Sequence, residues 1–350
     1  MNKKWFRLLL FLPIILFFVS VNYLLDYQGC FHDVNKETAL SILDGNNTAF
    51  FNSLDEREVK HQIIKYMPDE VDCIVIGPSL AMCIGNDIVC SKSLYNLGVS
   101  GGVIYDYLAQ FGLLEINNKK INRVILCLDS QTFDKTIYKD RSRSYKLMPF
   151  ANYMIDTLNK VENRKEIRDN LVPEKKFTNI FSITCFQENI ERFFITKSRN
   201  RVICVDDNYE GAFYSGDASF NYTLEYRNHT IKDVIEDVKN YNFDNNFTPG
   251  EHIDEYASDI FEKLISYLKD KKVEVELYLC PLAPSLWDKY DNEKYPIILE
   301  LSDYALKLSN KYNLKITGSY NPYELGITDG EFIDARHIQR ENLYKYFNFK

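Results

Sequence analysis

Acyl transfer needs a nucleophile, a base held by a carboxylate, and donors for the oxyanion. This chain carries a candidate for each beside an apolar run or loop. Gly77-Pro78-Ser79-Leu80-Ala81 places a hydroxyl where the apolar run 71–77 stops. Asn96-Leu97-Gly98-Val99-Ser100-Gly101-Gly102 follows the run 93–97, and such a turn presents bare backbone N–H groups to an anion. Asp129-Ser130-Gln131 follows the run 123–128. Near the C-terminus stands Asp334-Ala335-Arg336-His337, and His337 is one of five histidines. A serine is a weak nucleophile until an imidazole takes its proton, and that imidazole needs a carboxylate to fix its tautomer. Positions i and i+3 at a helix start share a face, so Asp334 and His337 are read as orienter and base at the start of a final amphipathic helix. The N–H groups of Ser79 and Gly101 are then the oxyanion donors, each worth ~3–4 kcal/mol in the transition state. Each piece alone also fits a plainer role: a helix cap, a tight turn, a surface pair. Their order along the chain favours chemistry.

The elements that must hold these residues are legible in the hydrophobic pattern. Residues 71–77, 93–97, 123–128, 273–279 and 314–317 are short, flat apolar runs, as expected of strands covered on both faces. Ile104, Tyr107, Leu108, Phe111 and Leu114 keep helical spacing, as do Ala257, Ile260, Phe261, Leu264 and Leu268, and Ile298, Leu301, Ala305 and Leu308. Alternating strands and helices predict an α/β domain with a mostly parallel sheet, whose ligands gather at the carboxyl ends of the strands. Residues 135–249 interrupt the alternation and are read as an inserted subdomain or lid, with helices near 153–171 and 186–194 and a strand at 201–205. The domain then comprises 26–134 and 250–350.

Residues 8–25 are uncharged, interrupted only by Ser20 and Asn22, and preceded by Lys3, Lys4 and Arg7. At 1.5 Å per residue this run spans ~27 Å, about one hydrocarbon core. No small-residue cleavage site follows, so residues 1–25 are read as an uncleaved transmembrane anchor rather than a signal peptide, with the basic flank cytoplasmic and the rest outside the cell membrane. The 350 residues carry 42 Lys+Arg and 50 Asp+Glu; without the three basic residues of the anchor the balance is 39 against 50, a net −11. An acidic body argues against nucleic acid as a partner. Eight cysteines show no zinc spacing; Cys73, Cys127 and Cys280 fall inside strand-like runs, and Cys83 and Cys90 are near enough in sequence to pair without anything requiring it. Asp206 to Asp217 loosely matches a calcium loop, but Glu210 at the fifth place and Asp217 at the twelfth make a hairpin turn the better reading. No cofactor or metal is expected.

Gly-x-Ser after the first run, Asn-x-x-x-Ser-Gly after the second and Asp-x-x-His near the C-terminus resemble the SGNH/GDSL hydrolases, serine esterases and acyltransferases with a flavodoxin-like parallel sheet. The resemblance covers residues 70–134 and 250–350. It implies Ser79 as nucleophile, His337 as general base, Asp334 as its partner and Gly101 as an oxyanion donor. Pro78 stands where the family has Asp, and Leu126-Cys127-Leu128-Asp129-Ser130 where it has a Gly-x-Asn-Asp block, so Ser130 or Gln131 would replace the Asn donor. With an N-terminal anchor, the chain is most similar to members serving teichoic-acid D-alanylation and exopolysaccharide O-acetylation. That implies an acylated glycan or envelope polymer as substrate and an integral-membrane acyl-donor protein as partner. The alternative is a catalytically inactive protein of the same fold, binding or assembling in polysaccharide export. An α/β-hydrolase elbow is a poorer fit because Asp334 and His337 share one loop, and a dinucleotide site is poorer still because Gly98, Gly101 and Gly102 lack the Gly-x-Gly-x-x-Gly spacing.

Overall fold

The computed structural model describes residues 3–27, 29–51, 54–140, 144–162, 177–197 and 199–347, except the side chains of 3–10, 177–178 and 195–196. Five strands form one sheet: β1 (Glu70–Ile76), β2 (Leu94–Asn96), β3 (Lys120–Leu128), β4 (Glu274–Leu279) and β5 (Lys315–Gly318). Their order is β2-β1-β3-β4-β5 and every pairing is parallel. This is the order of flavodoxin-like sheets, in which the chain reverses direction of growth beside β1. The apolar runs are flat because both faces of the central strands are covered: Cys73–Ile76 and Val124–Leu128 are at most 1% exposed.

The helices Ile104–Ile116, Glu255–Asp270 and Ile297–Tyr312 stand where the 3.6-residue spacing places them. Helix Met148–Leu158 crosses Ile104–Ile116 at Gly112, where a Cβ would lie 2.2 Å from the Phe150 carbonyl oxygen. Only a glycine permits that approach.

Residues 135–249 depart from the sequence reading in two places. The helix expected near 153–171 is Met148–Leu158, and positions 163–176 lie outside the described residues. The strand expected at 201–205 is a single antiparallel bridge from Cys204 to Thr48, outside any ladder. The second helix runs over Ile183–Thr196. The short strands Phe213–Tyr214 and Phe220–Asn221 form a hairpin that joins Thr48–Ala49 in a small antiparallel sheet. Asp217 sits in its turn and accepts the N–H groups of Asn86 and Ser219, which accounts for its carboxylate without an ion.

The first helix spans Lys3–Leu25. Phe11, Leu12, Ile14, Ile15, Leu16 and Phe17 are all exposed, whereas Asn22 is buried, its amide donating to the carbonyls of Ile180 and Ser182. Among the described residues no helix is long and apolar enough to cross a membrane. Among the described residues no disulfide joins any of the eight cysteines.

Candidate active site

The carboxyl end of β1 delivers Ser79 to the sheet's upper edge. Gly77 passes so close to β3 that a Cβ there would sit 2.6 Å from Cys127 Cβ and 2.8 Å from Ala81 Cβ. Pro78 then holds φ at −75° in extended backbone, and Ser79 opens a single 3-10 turn, Ser79–Ala81. The Ser79 hydroxyl caps nothing. It points at His337, with 2.9 Å between Oγ and Nε2. On the far side of the ring, Nδ1–H donates to Asp334 Oδ2 at 2.8 Å. That bond fixes the tautomer that leaves Nε2 free to accept the serine proton. The His337 and Asp334 side chains are 21% and 18% exposed, and Ser79 is half-buried, so the three are accessible from one side.

Asp334 and His337 were expected at a helix start. They lie instead in a tight loop, and among the described residues the only helical turn that follows is Arg340–Leu343. The carboxylate itself builds the loop: Asp334 Oδ1 accepts the backbone N–H groups of Arg336 and His337, each at 2.7 Å, and Ile333 N–H closes onto the His337 carbonyl at 2.7 Å. Such self-capping is what an Asp does when its backbone leaves the helix. Burial pushes the Asp334 carboxyl up, but His337, the Tyr226 hydroxyl and these N–H groups outweigh it and hold the pKa well below the usual range.

Three further ties position the loop. Ala283 N–H donates to the Ala335 carbonyl at 3.0 Å, and Ala335 N–H to Asp237 Oδ2 at 2.9 Å. Arg336 forms a buried ion pair with Asp129, the residue that follows β3. The base loop is thereby fastened to the strand next to the one that carries the serine.

The glycine turn is held more tightly still. Asn96 Nδ2 donates to the carbonyls of Ala81, Met82 and Ile84, and Asn96 Oδ1 accepts Gly98 N–H at 2.8 Å. One fully buried amide therefore joins the turn after β1 to the turn after β2. Glu56 accepts Ser100 N–H at 2.8 Å, and Arg57, paired with Asp106, donates to the Ser100 carbonyl at 3.2 Å. Gly101 takes a positive φ of 56°. Among the described residues no acceptor takes the N–H of Ser79 or of Gly101, which leaves both free for an incoming anion. Ser130 is fully buried, and its hydroxyl has no hydrogen-bond partner among the described residues. Replacing Asn96 by Ala leaves the Ile84 carbonyl and the Gly98 N–H unsatisfied inside the core. The expected cost is about 2–4 kcal/mol in denaturant unfolding.

Lys60 lies beneath this turn, 1% exposed, donating to the carbonyls of Asn96 and Ala218 at 2.7 and 2.6 Å. Burial pushes its pKa down from 10.5 to about 7, against the pull of Glu56 and Asp217. Between those values the unfolded chain binds a proton that the folded chain has released, so stability rises with pH and is flat below the lower one. Lys60→Met removes this slope. The stability difference, wild type minus K60M, is expected to grow by roughly 1 kcal/mol per pH unit across the window, read from denaturant midpoints at several pH values.

No protein-family model matches the chain, and no curated protein matches it either. The site's chemistry therefore rests on its own geometry. Of the residues singled out in the sequence, the structure brings Ser79, Asp334 and His337 into one hydrogen-bonded chain and sets the Gly101 turn against the Gly77–Pro78 backbone, where a Cβ on Gly102 would meet the Gly77 carbonyl oxygen at 3.0 Å. Sequence reasoning missed the Asp129–Arg336 tie, the bridging role of Asn96, and Tyr226. Only Asn96 carried a signal: an amide at the end of a buried strand.

Proposed function

We propose that this protein is a membrane-anchored, extracytoplasmic serine esterase or O-acyltransferase of the SGNH type, acting on an acylated cell-surface polysaccharide or related envelope polymer. The observation that carries the reading is the continuous chain from Ser79 Oγ through His337 to Asp334. In the first half-reaction His337 Nε2 takes the hydroxyl proton as Oγ attacks the ester carbonyl. The N–H groups of Ser79 and Gly101 are suited to receive the oxyanion. The carbon–oxygen bond to the alcohol then breaks, the imidazolium returns its proton to the leaving oxygen, and acyl-Ser79 remains. Water or a sugar hydroxyl, deprotonated by His337, releases the acyl group in the second half.

The anchor reading is supported by helix Lys3–Leu25, whose consecutive apolar side chains Ile14, Ile15, Leu16 and Phe17 are exposed. A bilayer covers such a surface on every side. An integral-membrane acyl-donor protein as partner belongs to the transfer form of the reaction. The inactive alternative calls for a Ser79 hydroxyl far from His337, and the 2.9 Å separation speaks against it. The test is acyl release from a panel of O-acetylated glycans by the full chain: release by the wild type, and none by S79A or H337A, is the expected result.

A further inference from the structure

The residue that completes the site comes from the insertion. Tyr226, in the single helical turn Leu224–Arg227, donates its hydroxyl to Asp334 Oδ2, the oxygen that also accepts His337 Nδ1–H. The other oxygen, Oδ1, is occupied by two backbone N–H groups. The Tyr226 ring is fixed edge-on between Tyr222 at 5.0 Å and His229 at 4.8 Å, and Tyr222 meets the His337 ring edge-on at 5.8 Å. Residues 222–237 therefore stand against the base loop as a buttress.

We propose that Tyr226 is a positioning residue that shares the Asp334 oxygen with His337 and so sets how strongly the imidazole holds its proton. A carboxylate oxygen that accepts two donors has less charge to offer each of them. Tyr226 thereby weakens the pull of Asp334 on Nδ1–H. Burial and the Asp334 charge hold the phenol well above its ordinary range, so it stays protonated and a donor. The other ionisable groups around the pair are committed elsewhere or lack a bond to it. His229 Nδ1 faces the Ile333 carbonyl and Asp237 accepts Ala335 N–H. Arg336 is paired with Asp129, Cys280 contacts the Arg336 carbonyl, and Tyr222, Tyr241 and Cys83 have no hydrogen bond to Asp334 or His337 among the described residues.

This role rests on the acyl-transfer reading for its purpose but not for its measurement. The His337 ring is titrated by NMR in the full chain in detergent, its signals assigned by their loss in H337Q, for wild type, Tyr226→Phe and Tyr222→Phe. Tyr226→Phe is expected to raise the His337 midpoint by about half to one pH unit. Tyr222→Phe, which removes a hydroxyl not bonded to Asp334, is expected to leave it in place. The acid limb of the pH–rate profile should move upward by the same amount in Y226F. A His337 titration that is unchanged or lowered in folded Y226F overturns the role of Tyr226 while leaving the triad intact. A raised midpoint in a protein whose wild type turns over no ester supports the coupling and removes the catalytic reading alone.

Discussion

Alanine in place of Ser79 is expected to lower ester turnover by at least ~10⁴-fold, with the fold unchanged. The hydroxyl's partner is His337, and the serine is half-buried at the mouth of the site, so removing one oxygen creates no cavity in the core. The thermal midpoint should stay within about the range of an ordinary surface substitution, ±0.5 kcal/mol. His337→Ala should cost nearly as much activity as Ser79→Ala. The double variant should be little worse than either single one, because nucleophile and base act as a unit. The measurements are kcat/KM on a soluble acetyl ester and thermal unfolding on the same preparations. Equal activity in all three variants and the wild type would place the ester chemistry elsewhere.

Asp129→Ala is expected to have the largest effect on stability. It strips the partner from Arg336, which is only 8% exposed and packs its guanidinium over the Phe247 ring at 5.2 Å. Breaking a buried pair from one side costs about 3–5 kcal/mol, since the remaining charge is left uncompensated. Removing both charges should cost less, so D129A/R336M is expected to be more stable than D129A alone in denaturant unfolding. The two effects also separate in function. D129A should lose activity at a temperature where it is still folded, because Arg336 precedes His337 and the base loop would lose its tie to β3. A D129A protein as stable as the wild type would show that the pair does not anchor the loop.

Much of the scaffold was legible in the sequence because parallel strands buried on both faces leave short, flat, Val/Ile/Leu-rich runs whose length and glycine or proline flanks mark them as strands. The flat runs around Cys73–Ile76 and Val124–Leu128 are such cases, and the helical spacing of Ala257 to Leu268 is another. The local geometry of Asp334 and His337 was not legible, although their pairing was. An Asp three residues before a His fits a helix start and a self-capped loop equally well, and the tertiary contacts of Ala283 and Asp237 decide between them. Arg336 and Asp129 are 207 positions apart, and Tyr226 and Asp334 are 108 apart. Neither pair leaves a periodicity or a motif. The strand read at 201–205 is a short apolar run that finds one bridge partner and no ladder.

The most direct measurement is covalent labelling of the full chain by a fluorophosphonate, with the modified peptide mapped by mass spectrometry. A nucleophile activated by His337 and Asp334 is expected to carry the phosphonyl group on Ser79 in the wild type. S79A should show no adduct, and H337A should label orders of magnitude more slowly. A folded wild type that stays unlabelled, or an S79A protein labelled as fast as the wild type, would contradict the assignment of Ser79 as an activated nucleophile.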